Sequence, residues 1–147
     1  MKAMDQASIT FTSRSANEGF ARACAACFAA QLDPTLDEVA DIKTAVSEAV
    51  TDAIVHAYPD CLGKITLRLR LFEGGVLELQ VKDSGVGIPD VDQARTPLFT
   101  TGGEERSGMG FTIMESFMDG LKVRSQPGKG TVVTMRKRIA RRAGVSK

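Results

Sequence analysis

The chain has no tryptophan, a single tyrosine and a single histidine. With so few large rings, the core has to come from aliphatic side chains and seven phenylalanines. At 43% hydrophobic residues over 147 positions there is enough apolar surface for one globular domain. Cysteine is scarce as well. Cys24 and Cys27 form a C-x-x-C pair, a spacing that suits redox or metal chemistry, but a zinc site would need two further ligands. Only Cys61 and His56 remain to supply them, at no recognised spacing. The alternative is that both cysteines are small core residues at i and i+3 of an alanine-rich helix. Long apolar runs are missing too. The least polar stretch, "ACAACFAA", is eight residues, against about 20 needed to span a bilayer. The opening "MKAMDQASITFTSR" has no apolar core of a secretory leader. The expectation is a cytoplasmic protein with reduced thiols and no membrane partner.

Acidic residues are absent from one region in particular. Residues 1–119 carry all 18 acids and ten of the 19 bases, a net charge of −8, whereas residues 120–147 carry nine bases and no acid. The overall charge of +1 argues against direct nucleic-acid binding across the molecule. Much of the positive charge falls in "RKRIARR", Arg136 to Arg142, and the expected organisation is one domain over 1–138 with a solvated basic tail over 139–147.

Periodicity along the chain alternates between helix and strand without an internal repeat. "SITFT", Ser8 to Thr12, reads as a short strand. "SANE", Ser15 to Glu18, has the spacing of a capping box and opens a helix to about Leu32, which Asp33-Pro34 ends. "TLDE", Thr35 to Glu38, opens a second helix that runs to about Tyr58. "KITLRLRLF" alternates strictly, with Ile65, Leu67, Leu69 and Leu71 on the inward face and Thr66, Arg68 and Arg70 outward. Glu73-Gly74-Gly75 turns it into "VLELQVKD", completing a hairpin. A glycine-rich polar segment leads to a third helix, "GFTIMESFMDG", and "LKVRSQ-PGKG-TVVTMRKRI" closes with another hairpin. Helices and strands cluster separately, which predicts an α+β two-layer sandwich: a mixed, mainly antiparallel sheet covered by helices on one face.

Four signals follow one another along this framework. Glu48 and Asp52 lie at i, i+4 of the second helix, off the apolar face formed by Val39, Ile42, Val46, Ala49, Val50, Ala53 and Ile54. They read either as a solvated acidic face or as a carboxylate base beside a metal ligand. Asp83, Gly85 and Gly87 give D-x-G-x-G directly after a strand. A carboxylate there accepts a hydrogen bond from an exocyclic amine, and the glycines leave backbone bare for a flat ring. "RSGMGF", Arg106 to Phe111, sets glycines at a helix start, where N–H groups and the helix dipole suit phosphate. "GKGT", Gly128 to Thr131, leads into a strand on which Thr131 supports the base-binding acid. Each is weak alone; the order E-x-x-x-D, D-x-G-x-G, G-x-G, G-T is specific.

In that order the residues resemble the GHKL ATPase/kinase superfamily, with its Bergerat-type ATP-binding fold. The stretches "FARACAACFAAQLDPTLDEVADIKTAVSEAVTDAIVHAY", "GVGIPD", "ARTPLFTT" and "ERSGMGFTIMESFMD" are similar to the sporulation anti-sigma factors, which are serine kinases. The resemblance implies ATP and Mg2+ as cofactors, with Glu48 as general base and Asp52 at the metal position. It implies that Asp83 binds the adenine amine, that Gly85 and Gly87 shape the pocket, and that Thr131 assists. Gly108 and Gly110 would hold the phosphates under a lid over 97–107, to which Thr101, Arg106 and Ser107 belong; Arg106 is placed to meet the terminal phosphate. Such proteins are homodimers that hold a sigma factor inactive and phosphorylate a serine on an anti-anti-sigma protein. Arg22, the one cation of the first helix, is implied in partner docking.

This sequence departs from the pattern twice. Asp52 stands where the family has Asn, and Gly102-Gly103 stand where relatives often have Lys-Pro. Both changes bear on phosphotransfer more than on nucleotide binding. A histidine kinase would need a separate phosphoacceptor helix, and a gyrase- or chaperone-type ATPase a second domain. The alternatives that stay open are a non-catalytic ATP-dependent sigma-binding module and a related stress-response switch kinase.

Overall fold

The computed structural model describes residues 2–88, 91, 95 and 110–139. Five strands, β1 (Asp5–Thr12), β2 (Lys64–Phe72), β3 (Val76–Asp83), β4 (Gly120–Gln126) and β5 (Gly130–Arg138), form a single sheet in the order β1-β2-β3-β5-β4. Three helices, α1 (Ala16–Ala29), α2 (Leu36–Asp52) and α3 (Gly110–Phe117), cover one face, with α2 packed against both others. Every strand pair is antiparallel, which corrects the expected mixed sheet. The crossover from β3 through α3 enters β4 two places away, and the β4–β5 hairpin lays β5 into the gap, so no parallel neighbours meet.

The strict alternation of β2 sets the core. Ile65, Leu67, Leu69 and Leu71 are at most 5% exposed, and Leu77, Leu79, Val81, Val133 and Met135 continue the same layer on β3 and β5. Against it lie Ile42, Ala45, Val46, Ala49 and Val50 of α2, all buried. Ala21, Ala25 and Ala29 of α1 recur every fourth residue and are fully buried, and such small side chains let two helix backbones approach closely. Residues 30–32 extend α1 by a 3-10 turn, and Asp33, in the left-handed region at φ 50°, ends it.

The two capping boxes differ. At α2 the box is complete: Thr35 Oγ1 accepts from Glu38 N (3.0 Å) and Glu38 Oε1 accepts from Thr35 N (2.8 Å). At α1 Ser15 is helical in its own backbone and makes no side-chain cap. Glu18 is engaged elsewhere, by Arg22 Nη1 at 2.9 Å and by Ser47 Oγ of α2 at 3.2 Å. An ion pair one turn along the same helix and a tertiary hydrogen bond from α2 thus take the side chain that the capping motif needed. β1 is also longer than predicted, beginning at Asp5, because β2 pairs with it along its whole length. Cys27 is exposed and not a core residue, while Cys24 packs partly against the core.

The face turned away from the helices has one buried acid. Glu78 is 2% exposed and receives Arg70 Nε at 2.9 Å and Arg136 Nε at 3.0 Å, with Arg68 Nη2 3.8 Å away. Arg70 and Arg136 also lie over the Phe72 ring, 5.2 and 5.6 Å from its centroid. Desolvation alone would raise the Glu78 pKa, but hydrogen bonds and charge from Arg70 and Arg136 outweigh it and hold it below the usual glutamate range. A depressed carboxylate pKa contributes stability at pH values above the unfolded pKa, and that stability is lost as pH falls through the folded one. Replacing Glu78 with Gln should therefore cost on the order of 2–3 kcal/mol at neutral pH, less than a fully buried pair because the guanidiniums keep some water. Melting curves across pH should show the gap between Glu78→Gln and wild type closing below the ordinary glutamate range. A constant gap down to strong acid would contradict the assignment.

Candidate functional site

The candidate site assembles around the C-terminal half of α2. Glu48 and Asp52 sit one turn apart there, both part-buried. Directly after Asp52 the helix widens into a π turn, Ala53–Ala57, a distortion often found at functional sites. The carbonyl of Ala57 at its end accepts from Val86 N at 3.1 Å, which brings the loop after β3 against α2.

That loop begins at Asp83, the last residue of β3 and only 6% exposed. Its Oδ1 accepts from Gly85 N (3.0 Å) and from Thr131 N of the neighbouring β5 (3.2 Å). Among the described residues no hydrogen bond reaches Oδ2. One oxygen is saturated by the main chain, which fixes the carboxylate plane, and the other is left to accept from a ligand. Burial raises the Asp83 pKa above the usual aspartate range, while the two amide hydrogen bonds act in the opposite direction.

Thr131 reaches Asp83 through its main chain. Its amide supports Asp83, and its hydroxyl lies 2.7 Å from Ser125 Oγ. Ser125 Oγ gives its one proton to Gly130 O (3.0 Å) and accepts from Ile88 N (2.7 Å), so the Thr131 hydroxyl must be the donor between the two. The glycines also meet a packing requirement that the sequence reading did not include. A Cβ on Gly85 would fall 2.2 Å from Ala57 O, and one on Gly87, at φ 79°, 2.2 Å from Gln126 O. The protein's own backbone fills the space beside them, and the loop lies flat between the end of α2 and the β4–β5 hairpin.

The second approach is between Asp52 and α3. A Cβ on Gly110, the first residue of α3, would lie 2.6 Å from Asp52 Oδ2. The Asp52 carboxylate thus faces the N-terminal, partially positive end of α3, where phosphate groups are also favoured. No group of three or more His, Cys, Asp or Glu side chains with metal-holding geometry occurs among the described residues. Arg22, on α1, donates to Ser47 Oγ of α2, the residue before Glu48, at 3.3 Å, and its ion pair with Glu18 leaves the side chain 43% exposed. Thr101, Arg106, Ser107 and Gly108, with the lid and its Gly102-Gly103 pair, lie outside the described residues.

Two hydroxyls escaped the sequence reading. Tyr58 and Ser125 hold the two sides of the Asp83 loop, and their partners are 26 and 37 residues away in the chain. No local pattern marks such pairs.

Residues 11–137 match the family model described as "Histidine kinase-like ATPase domain". The anti-sigma F factor of Caldanaerobacter subterraneus subsp. tengcongensis is 57% identical over 134 residues, covering 90% of this chain and 93% of the relative. That of Geobacillus kaustophilus is 56% identical, covering 90% and 92%. Among solved structures, the RsbU and RsbW domains of a Mycobacterium tuberculosis protein superpose with a TM-score of 0.68 at 21% identity, covering 95% of this chain and 33% of that one. A histidine kinase domain from Erythrobacter litoralis gives a TM-score of 0.55 at 27% identity, covering 70% and 45%.

If Asp83 Oδ2 accepts from the amino group of adenine, Asp83→Asn replaces a charge-assisted hydrogen bond by a neutral one. ATP affinity should fall about ten- to a hundredfold, from a loss on the order of 1.5–3 kcal/mol. The same bond prefers the ionised carboxylate, so wild-type affinity should weaken on acidification through the raised Asp83 pKa, at higher pH than an ordinary aspartate near ~3.9 would give. Calorimetric titrations between pH 4 and 8 check both; equal affinity in the variant would remove Asp83 from the site.

Proposed function

The chain belongs to the histidine kinase-like ATPase domain family and, within it, to the anti-sigma F factors, and from that premise we propose an ATP- and Mg2+-dependent serine kinase. It binds and silences a sporulation sigma factor and inactivates its anti-anti-sigma antagonist by phosphorylating one serine. The observation that carries the reading is the buried Asp83 carboxylate, with one oxygen saturated by Gly85 N and Thr131 N and the other open to an adenine amine.

Along α2, the chemistry follows from the adenine end inward. Asp83 orients the ring, and Gly110 with Gly108 offers main-chain N–H groups to the phosphates at the start of α3. Mg2+, when bound, would supply positive charge against the charge that builds up on the phosphates during transfer. Asp52 is the residue suited to hold it, since a carboxylate is a good ligand for a hard cation. Glu48, one turn away, takes the proton from the substrate serine as its oxygen forms a bond to the γ-phosphorus. The bond from that phosphorus to the bridging oxygen of ADP breaks, and ADP carries away the electron pair. Arg106, Thr101 and Ser107 belong to the lid in this reading.

Partner docking is assigned to α1. The Arg22 side chain is 43% exposed, and its ion pair with Glu18 and its hydrogen bond to Ser47 Oγ fix the guanidinium in place. An arginine held in place at the surface suits a docking hot spot. The protein acts in this reading as a homodimer in the cytoplasm. The second reading, an ATP-dependent sigma-binding module without phosphotransfer, is favoured by Asp52 itself: a carboxylate where the family has Asn adds negative charge that repels the triphosphate whenever the metal is absent.

Incubation with labelled ATP and the serine antagonist separates the two. Label on the antagonist supports the kinase; sigma binding with no label under any Mg2+ concentration supports the module. Glu48→Gln should keep ATP and sigma binding but lower transfer about 10²–10⁴-fold, and wild-type turnover in that variant would make Glu48 a surface charge. Asp52→Asn should make ATP affinity less dependent on Mg2+ and raise the transfer rate. Identical magnesium titrations and equal rates would show that Asp52 does not touch the metal.

A further inference from the structure

The phenol of Tyr58 stands where three elements meet. It follows the π turn at the end of α2. Its Oη donates to Lys64 O at the start of β2 (2.7 Å) and accepts from Ser84 N, directly after Asp83, at 2.8 Å. One proton and one lone pair are thereby both used. The ring is held as well, since a Cβ on Gly63 would fall 2.2 Å from Tyr58 Cε1. Tyr58 Oη and Ala57 O bind the loop from the α2 side, at Ser84 and Val86. Ser125 Oγ and Gly128 N bind it from the hairpin side, at Ile88 and Val86. Of these, the Tyr58 hydroxyl is the side-chain contact nearest in sequence to Asp83, and through Ser84 it sets the peptide from which Gly85 N reaches Asp83 Oδ1.

We propose that Tyr58 is a positioning residue of the nucleotide site. Its hydroxyl fixes the Asp83–Gly85 backbone so that the second carboxylate oxygen meets the amino group at position 6 of a purine, and it thereby sets the preference for 6-amino purine nucleotides. The proposal rests on the reading of Asp83 as the adenine acceptor. Tyr58→Phe isolates the effect. The ring stays against Gly63, Ser84 is exposed so that water replaces the lost acceptor, and the packing of the core is unchanged. What is lost is the fixed direction of one peptide.

The test measures affinities of the full chain, with Mg2+, for ATP and for purine riboside triphosphate, which lacks the 6-amino group. Wild type, Tyr58→Phe, Asp83→Asn and the double variant are compared. Tyr58→Phe should weaken ATP about three- to tenfold, the size of one hydrogen bond, and change the affinity for the 6-unsubstituted nucleotide less than about twofold. In the Asp83→Asn background it should have almost no further effect on ATP, because it acts through Asp83. Three results would overturn the proposal: unchanged ATP affinity, equal loss for both nucleotides, or an additive loss in the double variant. Failure of Tyr58→Phe to fold would also overturn it, showing the hydroxyl to be structural. If Asp83→Asn alone leaves ATP affinity intact, the adenine reading itself fails, a result distinct from failure of Tyr58 alone.

Discussion

A carboxylate at the buried end of a central strand is costly to ionise, and here two main-chain amides, Gly85 N and Thr131 N, offset part of that cost on a single oxygen. Much of the local architecture serves this one arrangement. β5 must lie beside β3 for the Thr131 amide to reach Asp83, which requires the β4–β5 hairpin to pack with β5 against β3 and β4 outermost. The loop after Asp83 must double back for Gly85 N to reach the same oxygen. It does so only because Gly85 and Gly87 allow the carbonyls of Ala57 and Gln126 to come within van der Waals distance of the backbone. The hydroxyls of Tyr58 and Ser125 then close the two sides.

α2 ties this corner to the rest of the chemistry. Its complete capping box fixes where it starts, its apolar face seats it in the middle of the helical layer, and the π turn ends it at Ala57 against the Asp83 loop. Glu48 and Asp52 are carried on the same rigid rod, and Asp52 meets the first residue of α3. The two carboxylates are thus spaced by helix geometry, at about 1.5 Å of rise per residue. The opposite face of the sheet has a separate character. Arg68, Arg70 and Arg136 surround Glu78, with Lys64, Lys82, Lys122, Arg124 and Arg138 around them, and Glu78 is the only acid on that face among the described residues. Net charge near neutrality in the whole chain therefore conceals a strongly basic sheet face balanced by acidic helices.

Much of this was legible in the sequence for a physical reason. The β2 alternation, the Thr35–Glu38 box and the D-x-G-x-G turn are local patterns whose partners lie within a few residues. Asp83 and Gly110 could be placed because each sits at an element boundary that the pattern marks, and Asp52 by its i, i+4 spacing from Glu48. The misreadings come from tertiary competition. Glu18 has the right spacing for a cap but finds Arg22 and Ser47 instead. Glu78 reads as an ordinary polar position in a strand, and only pairing of β3 with β2 and β5 sets it among arginines. Tyr58 and Ser125 act through backbone atoms distant in sequence, which no motif records. Thr131 was placed beside Asp83 by the G-T pattern, and its amide is the group that reaches the carboxylate.

A crystal structure of the chain with Mg2+ and a non-hydrolysable ATP analogue tests the central claim most directly. The account predicts the 6-amino nitrogen of adenine within about 3 Å of Asp83 Oδ2, with Gly85 N and Thr131 N still on Oδ1 and the phosphates at the start of α3. An adenine ring bound away from Asp83, or an Asp83 carboxylate turned so that both oxygens are taken up by the protein, would contradict it.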